Sequence, residues 1–142
     1  MSRPAVQVRL ALLPGEYAVC RLPPGADPGP LPVVGDAPAV YSVTLTRHET
    51  SVVCPVEQAP GAASEVERGW RTLEVAGPLA FTLTGVLAGI TAPLAERGIP
   101  VFAVSTYDTD LLLVQEGTLT PALAALRAAG HTVLDDEPAP GA

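Results

Sequence analysis

Short apolar runs broken by polar and Pro-rich stretches dominate the first half of the chain. VQVRLAL (6–12) alternates apolar and polar residues, the period of a half-buried strand. The tripeptide PGE then turns the chain, and YAVCRL (17–22) predicts a second strand. The stretch 23–38 is too rich in Pro, which lacks the ladder donor, and reads as a loop. YSVTLT (41–46) and TSVVCPV (50–56) predict two more strands, joined through Arg47-His48-Glu49. A second polar loop, EQAPGAASEVERG (57–69), follows.

From Trp70 the period changes. WRTLEVAG (70–77) predicts a strand that either ends at Gly77-Pro78 or bends there and continues through PLAFTL. In TGVLAGITAPLAERG, residues Val86, Leu87, Ile90 and Leu94 recur at helical spacing. Thr84 is the expected N-cap, and Gly98 is suited to stop the helix in the left-handed conformation. Pro93, inside this helix, removes one hydrogen bond and crowds the Gly89 carbonyl, which predicts a kink. IPVFAV and LLLV predict neighbouring strands around a turn, Ser105 to Asp110, whose six residues are all polar and include no Gly. Thr120 and Pro121 are expected to open a second helix as cap and first helical residue. Its buried stripe is Leu119, Ala122, Leu123 and Leu126, Gly130 ends it, and HTVL (131–134) predicts a last strand.

The second half thus reads β-α-β-β-α-β, the ferredoxin-like arrangement of an α+β fold: an antiparallel sheet with both helices on one face. The first half has four strands and a Pro-rich loop in corresponding places, and reads as a degenerate copy. The expected organisation is two units in tandem, 1–62 and 63–134, with a disordered acidic tail at 135–142.

Composition narrows the function. The 142 residues suit one compact domain or two small units sharing a core, and an apolar fraction of 48% is ample for a folded interior. A formal charge of -7 argues against a nucleic-acid surface and leaves a small solute or a protein as partner. The basic residues are all Arg and Pro is abundant, as in proteins of GC-rich bacterial genomes. Cys20 and Cys54 sit in apolar strand contexts without CxxC spacing and read as small hydrophobes. Neither a signal-peptide pattern nor a run of ~20 apolar residues is visible, so a cytoplasmic protein with no membrane contact is expected.

Candidates for catalysis are few. His48 lies in a polar turn, and His131 follows a helix end, where the dipole favours it. No nucleophile motif, phosphate loop or metal-ligand spacing appears, so no metal and no cofactor are expected, and the chain is not read as an enzyme. Gly85-x-x-x-Gly89 is a small-residue face for close packing. Two places suit binding. Backbone N–H groups at the first helix's start attract a carboxylate, and Asp110 in the polar turn could hold an ammonium group, with Asp108 a turn-former. The two places either lie at opposite sheet ends or meet across a paired unit.

These residues carry a family resemblance. The stretch GPLAFTLTGVLAGITAPLAERGIPVFAVSTYDTDLLLV resembles the ACT-domain pattern of small bacterial ACT proteins, of aspartate-kinase regulatory regions and of the CASTOR-type arginine sensors of animals. PGEYAVCRL and YSVTLTRHETSVVCP resemble the first half of the same bacterial proteins, so the likeness spans roughly residues 8 to 134. It implies two ACT-like units and an amino acid bound at an interface between units. The ligand-facing stretch carries over to Thr106, Tyr107, Thr109 and Asp110, and the helix entry to Gly85, Val86 and Leu87. A Ser-Val pair matches Ser51 and Val52. The acidic residue that the arginine sensors place before their helix Gly has no counterpart among Thr82, Leu83 and Thr84, which puts arginine specificity in doubt. The expected function is a non-catalytic, amino-acid-binding regulatory protein, acting as a homodimer or on an enzyme in trans. The dimer is expected because LLLV reads as an apolar sheet edge. The alternative is a ligand-free interaction or dimerisation module of the same fold.

Overall fold

Strand β1 (Arg9–Leu12) buries Leu10 and Leu12 and finds its partners far along the chain. It pairs antiparallel with the end of β5 (Glu65–Val75), Leu10 opposite Val75, and parallel with β8 (Thr132–Leu134), Leu10 opposite Val133. The computed structural model describes residues 6–32, 40–76 and 85–135. These partners decide the domain organisation. One compact unit is continuous, Pro14–Trp70, and the other gathers the chain up to Leu13 and from Arg71 onward. The division expected near residue 62 therefore falls at Pro14 and at Trp70, and the first strand belongs with the second half.

The inserted unit contains β2 (Tyr17–Leu22), β3 (Ser42–Leu45), β4 (Thr50–Pro55) and the first half of β5. Its strand order is β3-β4-β2-β5, all antiparallel. Ala18, Cys20, Leu22, Val52 and Cys54 form its core, with Ala26, Tyr41, Val43 and Val66 packed against them. The beginning of β5 corrects the end of the expected loop: residues 65–69 are strand. An extra residue on β5 shifts the register between Tyr17–Trp70 and Val19–Glu67. Gly69 sits there at φ 85 and donates its N–H to Glu16 at 2.8 Å. Glycine here makes a β-bulge, which in a sequence looks the same as a turn.

The split unit places its strands in the order β6-β7-β5-β1-β8, with β6 at Phe102–Ser105 and β7 at Asp110–Gln115. Among the described residues the expected four antiparallel strands are thus five, with β1 and β8 parallel, because β1 stands between β5 and β8. Helices α1 (Val86–Glu96) and α2 (Leu119–Ala128) both pack on the face carrying Leu10, Leu12, Leu73, Val75, Leu112, Val114 and Val133. Both helices end in Schellman motifs that satisfy orphan carbonyls. After α1, Gly98 (φ 69) donates to Ala95 and Ile99 to Leu94, and Ile99 and Leu94 bury together. After α2, Gly130 (φ 97) donates to Arg127 and His131 to Leu126.

Four expectations change. The N-cap of α1 is Gly85, at φ 84, while Thr84 lies outside the described residues, as do PLAFTL and the tail beyond Asp135. Helix α2 starts at Leu119 after Thr118, because a 3-10 turn at Glu116–Thr118 leads into it; Pro121 stands in its first turn, where the missing N–H costs nothing. Asp135 itself pairs with Arg127 at 2.9 Å. Finally, β7 lies between β5 and β6, and Leu111 to Val114 are all buried within one chain. That run is not an edge, so it does not by itself require a second chain.

Candidate functional site

The β6–β7 turn is held by its own side chains. Thr106 Oγ1 accepts the Thr109 N–H at 3.2 Å and donates to the Thr109 carbonyl at 3.1 Å, while the Thr106 N–H donates to the same carbonyl at 2.8 Å. The β3–β4 turn of the inserted unit repeats this arrangement. Thr46 Oγ1 accepts from the Glu49 N–H at 3.1 Å and donates to the Glu49 carbonyl, which also receives the Thr46 N–H at 3.0 Å. The elements correspond one to one at a constant spacing: Ser42 and Phe102 begin the first strands, Thr50 and Asp110 the second, Val56 and Glu116 the following 3-10 turns. Thr106, like Thr46, is therefore a turn clamp.

The two turns differ where chemistry could enter. Ser105 stands at the position of Leu45, Thr109 at that of Glu49, and Asp110 at that of Thr50. Ser105 donates its hydroxyl to Asp110 Oδ1 at 2.6 Å across the strand pair, and Thr109 donates its hydroxyl to the Val75 carbonyl on β5. Asp110 and Thr109 are half-buried, whereas Tyr107 is 78% exposed at the crest. Ser105 escaped the sequence reading because a Ser at a strand end has no signature until its partner is known.

Gly85, Val86 and Leu87 come together at the start of α1. Among the described residues no side chain caps this end, and no acidic residue occupies its first turn, where the dipole favours negative charge. Val86 is buried in the core and Leu87 is exposed. Gly85 and Gly89 form the expected close-packing face: a Cβ on Gly85 would meet Val6 Cγ2 at 3.4 Å, and one on Gly89 would meet the Val6 carbonyl at 3.3 Å. Ser51 and Val52 lie on β4, in the inserted unit; Val52 is a core residue and Ser51 is half-buried. The nine residues thus fall in three groups: the turn, the start of α1, and β4.

The cysteines offer no ready nucleophile. Burial pushes the Cys54 thiol up to about 12, helped by neighbouring Cys20, to whose sulfur Cys54 donates. Burial also raises Cys20. A thiol so raised carries almost no thiolate at neutral pH. Among the described residues no three His, Cys, Asp or Glu side chains stand together as a metal site, and no helix is long and apolar enough to cross a membrane.

Comparison with known proteins follows the same outline. The family profile of the ACT domain matches residues 65–128. A crystal structure of a protein from Agobacterium tumefaciens is 34% identical, covers 94% of this chain and 96% of its own, and superposes with a TM-score of 0.80. A Vibrio cholerae protein of unknown function is 21% identical over 87% of this chain and 90% of its own, with a TM-score of 0.61. The ligand-free regulatory subunit of aspartate kinase from Thermus thermophilus shares the fold at 13% identity, covering 85% and 97% of the two chains with a TM-score of 0.56.

Proposed function

Because the chain belongs to the ACT-domain family, we propose that it is a non-catalytic regulatory protein that binds a free amino acid. The start of α1, which no described side chain caps, carries the reading. A ligand carboxylate receives the first-turn N–H groups at Gly85, Val86 and Leu87, the buried Val86 contributing backbone only. Asp110 holds the ammonium group, with Thr109 and Tyr107 beside it and Thr106 shaping the turn. Ser51 and Val52 are carried in the proposal on resemblance alone. The inserted unit is a second, degenerate ACT-like unit; its strand order and its matching turn support this. The proposal includes action on an enzyme in trans, inside the cytoplasm; a regulatory subunit of aspartate kinase shares the fold.

The test is a thermal-melt screen of the common amino acids. A ligand at ~100 times its dissociation constant adds roughly 2.7 kcal/mol to the folded state, a visible shift. No shift with any of them at millimolar concentration would refute amino-acid binding and leave the alternative, a ligand-free interaction module. The Ser105–Asp110 bond favours that alternative, since it already engages one carboxylate oxygen.

The proposal includes a homodimer. Light scattering at micromolar concentration checks it, and a monomer alone rejects it.

A further inference from the structure

Helix α1 runs through Pro93, and a proline inside a helix leaves the carbonyl four residues earlier without its donor. Here that carbonyl belongs to Gly89. Such a group, in contact with a packed interior, needs another partner. The donor comes from outside the helix: Nε2 of His131 lies 2.7 Å from the Gly89 carbonyl oxygen. His131 is 5% exposed. Its other nitrogen, Nδ1, accepts the Val8 N–H at 3.2 Å. A carbonyl only accepts and a backbone N–H only donates, so the two contacts define one state. The ring is neutral, with its proton on Nε2.

The ring is also held from behind. His131 is the residue after Gly130 in the Schellman turn of α2, its N–H bound to the Leu126 carbonyl at 3.1 Å. The next residue, Thr132, donates to the Val8 carbonyl at 3.0 Å, so Val8 is bound through both of its backbone groups. Gly89 completes the contact, because any Cβ there would press on the Val6 carbonyl at 3.3 Å.

We infer that His131 is the positioning residue of α1: it supplies to Gly89 the hydrogen bond that Pro93 removes, and ties that point to the backbone leading into β1. One side chain thereby registers α1 against the end of α2 and the start of β1. This inference stands independently of any ligand.

A double-mutant cycle tests it. His131→Leu is made in the natural chain and in Pro93→Ala, where residue 93 regains an N–H for Gly89. The folding equilibrium constant should fall at least tenfold further in the natural chain than in the Pro93→Ala chain. His131→Gln, whose terminal nitrogen can still donate, should recover most of that difference. Equal losses in both backgrounds, within threefold, would overturn the assignment. Nitrogen NMR of the imidazole in the unmodified protein provides a reading that requires no variant. Protonated Nε2 and bare Nδ1 at neutral pH are expected, and the opposite tautomer overturns the inference.

Discussion

At the scale of single residues, Asp110 and Cys54 make the sharpest claims. Ser105 holds one oxygen of the Asp110 carboxylate. If the carboxylate also meets a ligand ammonium, that charge-assisted bond contributes about 1.5–3 kcal/mol. Asp110→Asn should then weaken amino-acid binding roughly tenfold to a hundredfold. The turn should survive, since Asn retains an acceptor for Ser105. Asp108→Asn, on the exposed crest, should change binding little, and calorimetric titration of the two variants separates them. Cys54 predicts a pH dependence. Its folded thiol titrates at about 12 against an ordinary 9.0, because burial disfavours the thiolate. A pKa raised on folding gives stability that is whole below the unfolded value and lost as pH rises through the folded one. Urea midpoints measured under reducing conditions should therefore decline from about pH 9 toward about pH 12. Cys54→Val should flatten that decline.

At the scale of elements, the turns and helix ends show which glycines matter. Gly98 adopts φ 69 with open space around it, so a side chain there would suffer backbone strain alone. Gly98→Ala should cost about 1–2 kcal/mol. Gly117, also in open space and without a positive φ, should accept Ala at almost no cost. Chemical unfolding compares the two. Strand β7 is buried on both faces, and Leu112 belongs to the helix-side core. Leu112→Ala should cost about 2–5 kcal/mol by the same measurement.

For the whole molecule, the split unit depends on a strand that the chain makes first. β1 adds Leu10 and Leu12 to the core, and Arg9 and Val8 accept backbone bonds from Ala76 and Thr132. A fragment of residues 63–134, which holds both helices and the whole family match, lacks all of these. It would leave one side of β8 and one of β5 unpaired and the core open beneath the helices. Such a fragment should show no cooperative thermal transition by circular dichroism, while the full chain shows one. A sharp transition in the fragment would mean that β1 is dispensable.

Much of the architecture is local and legible in the sequence. YAVCRL is β2 to the residue, Gly98 and Gly130 stop the two helices, and the period of Val86, Ile90 and Leu94 is the buried stripe of α1. These features rest on alternation, helical spacing and backbone freedom within a few residues, which sequence records directly. The polar turn was legible as well, but Ser105 gained a role only opposite Asp110. Other features depended on partners far away in the chain. The stretch 65–69 looks like a polar loop until its bulge is seen against β2, and β1 belongs to the far half only because β5 and β8 flank it. Pro93 announced a broken hydrogen bond in the sequence. Only the tertiary fold could decide that a histidine beyond the next helix makes it good, because that depends on where α2 ends in space.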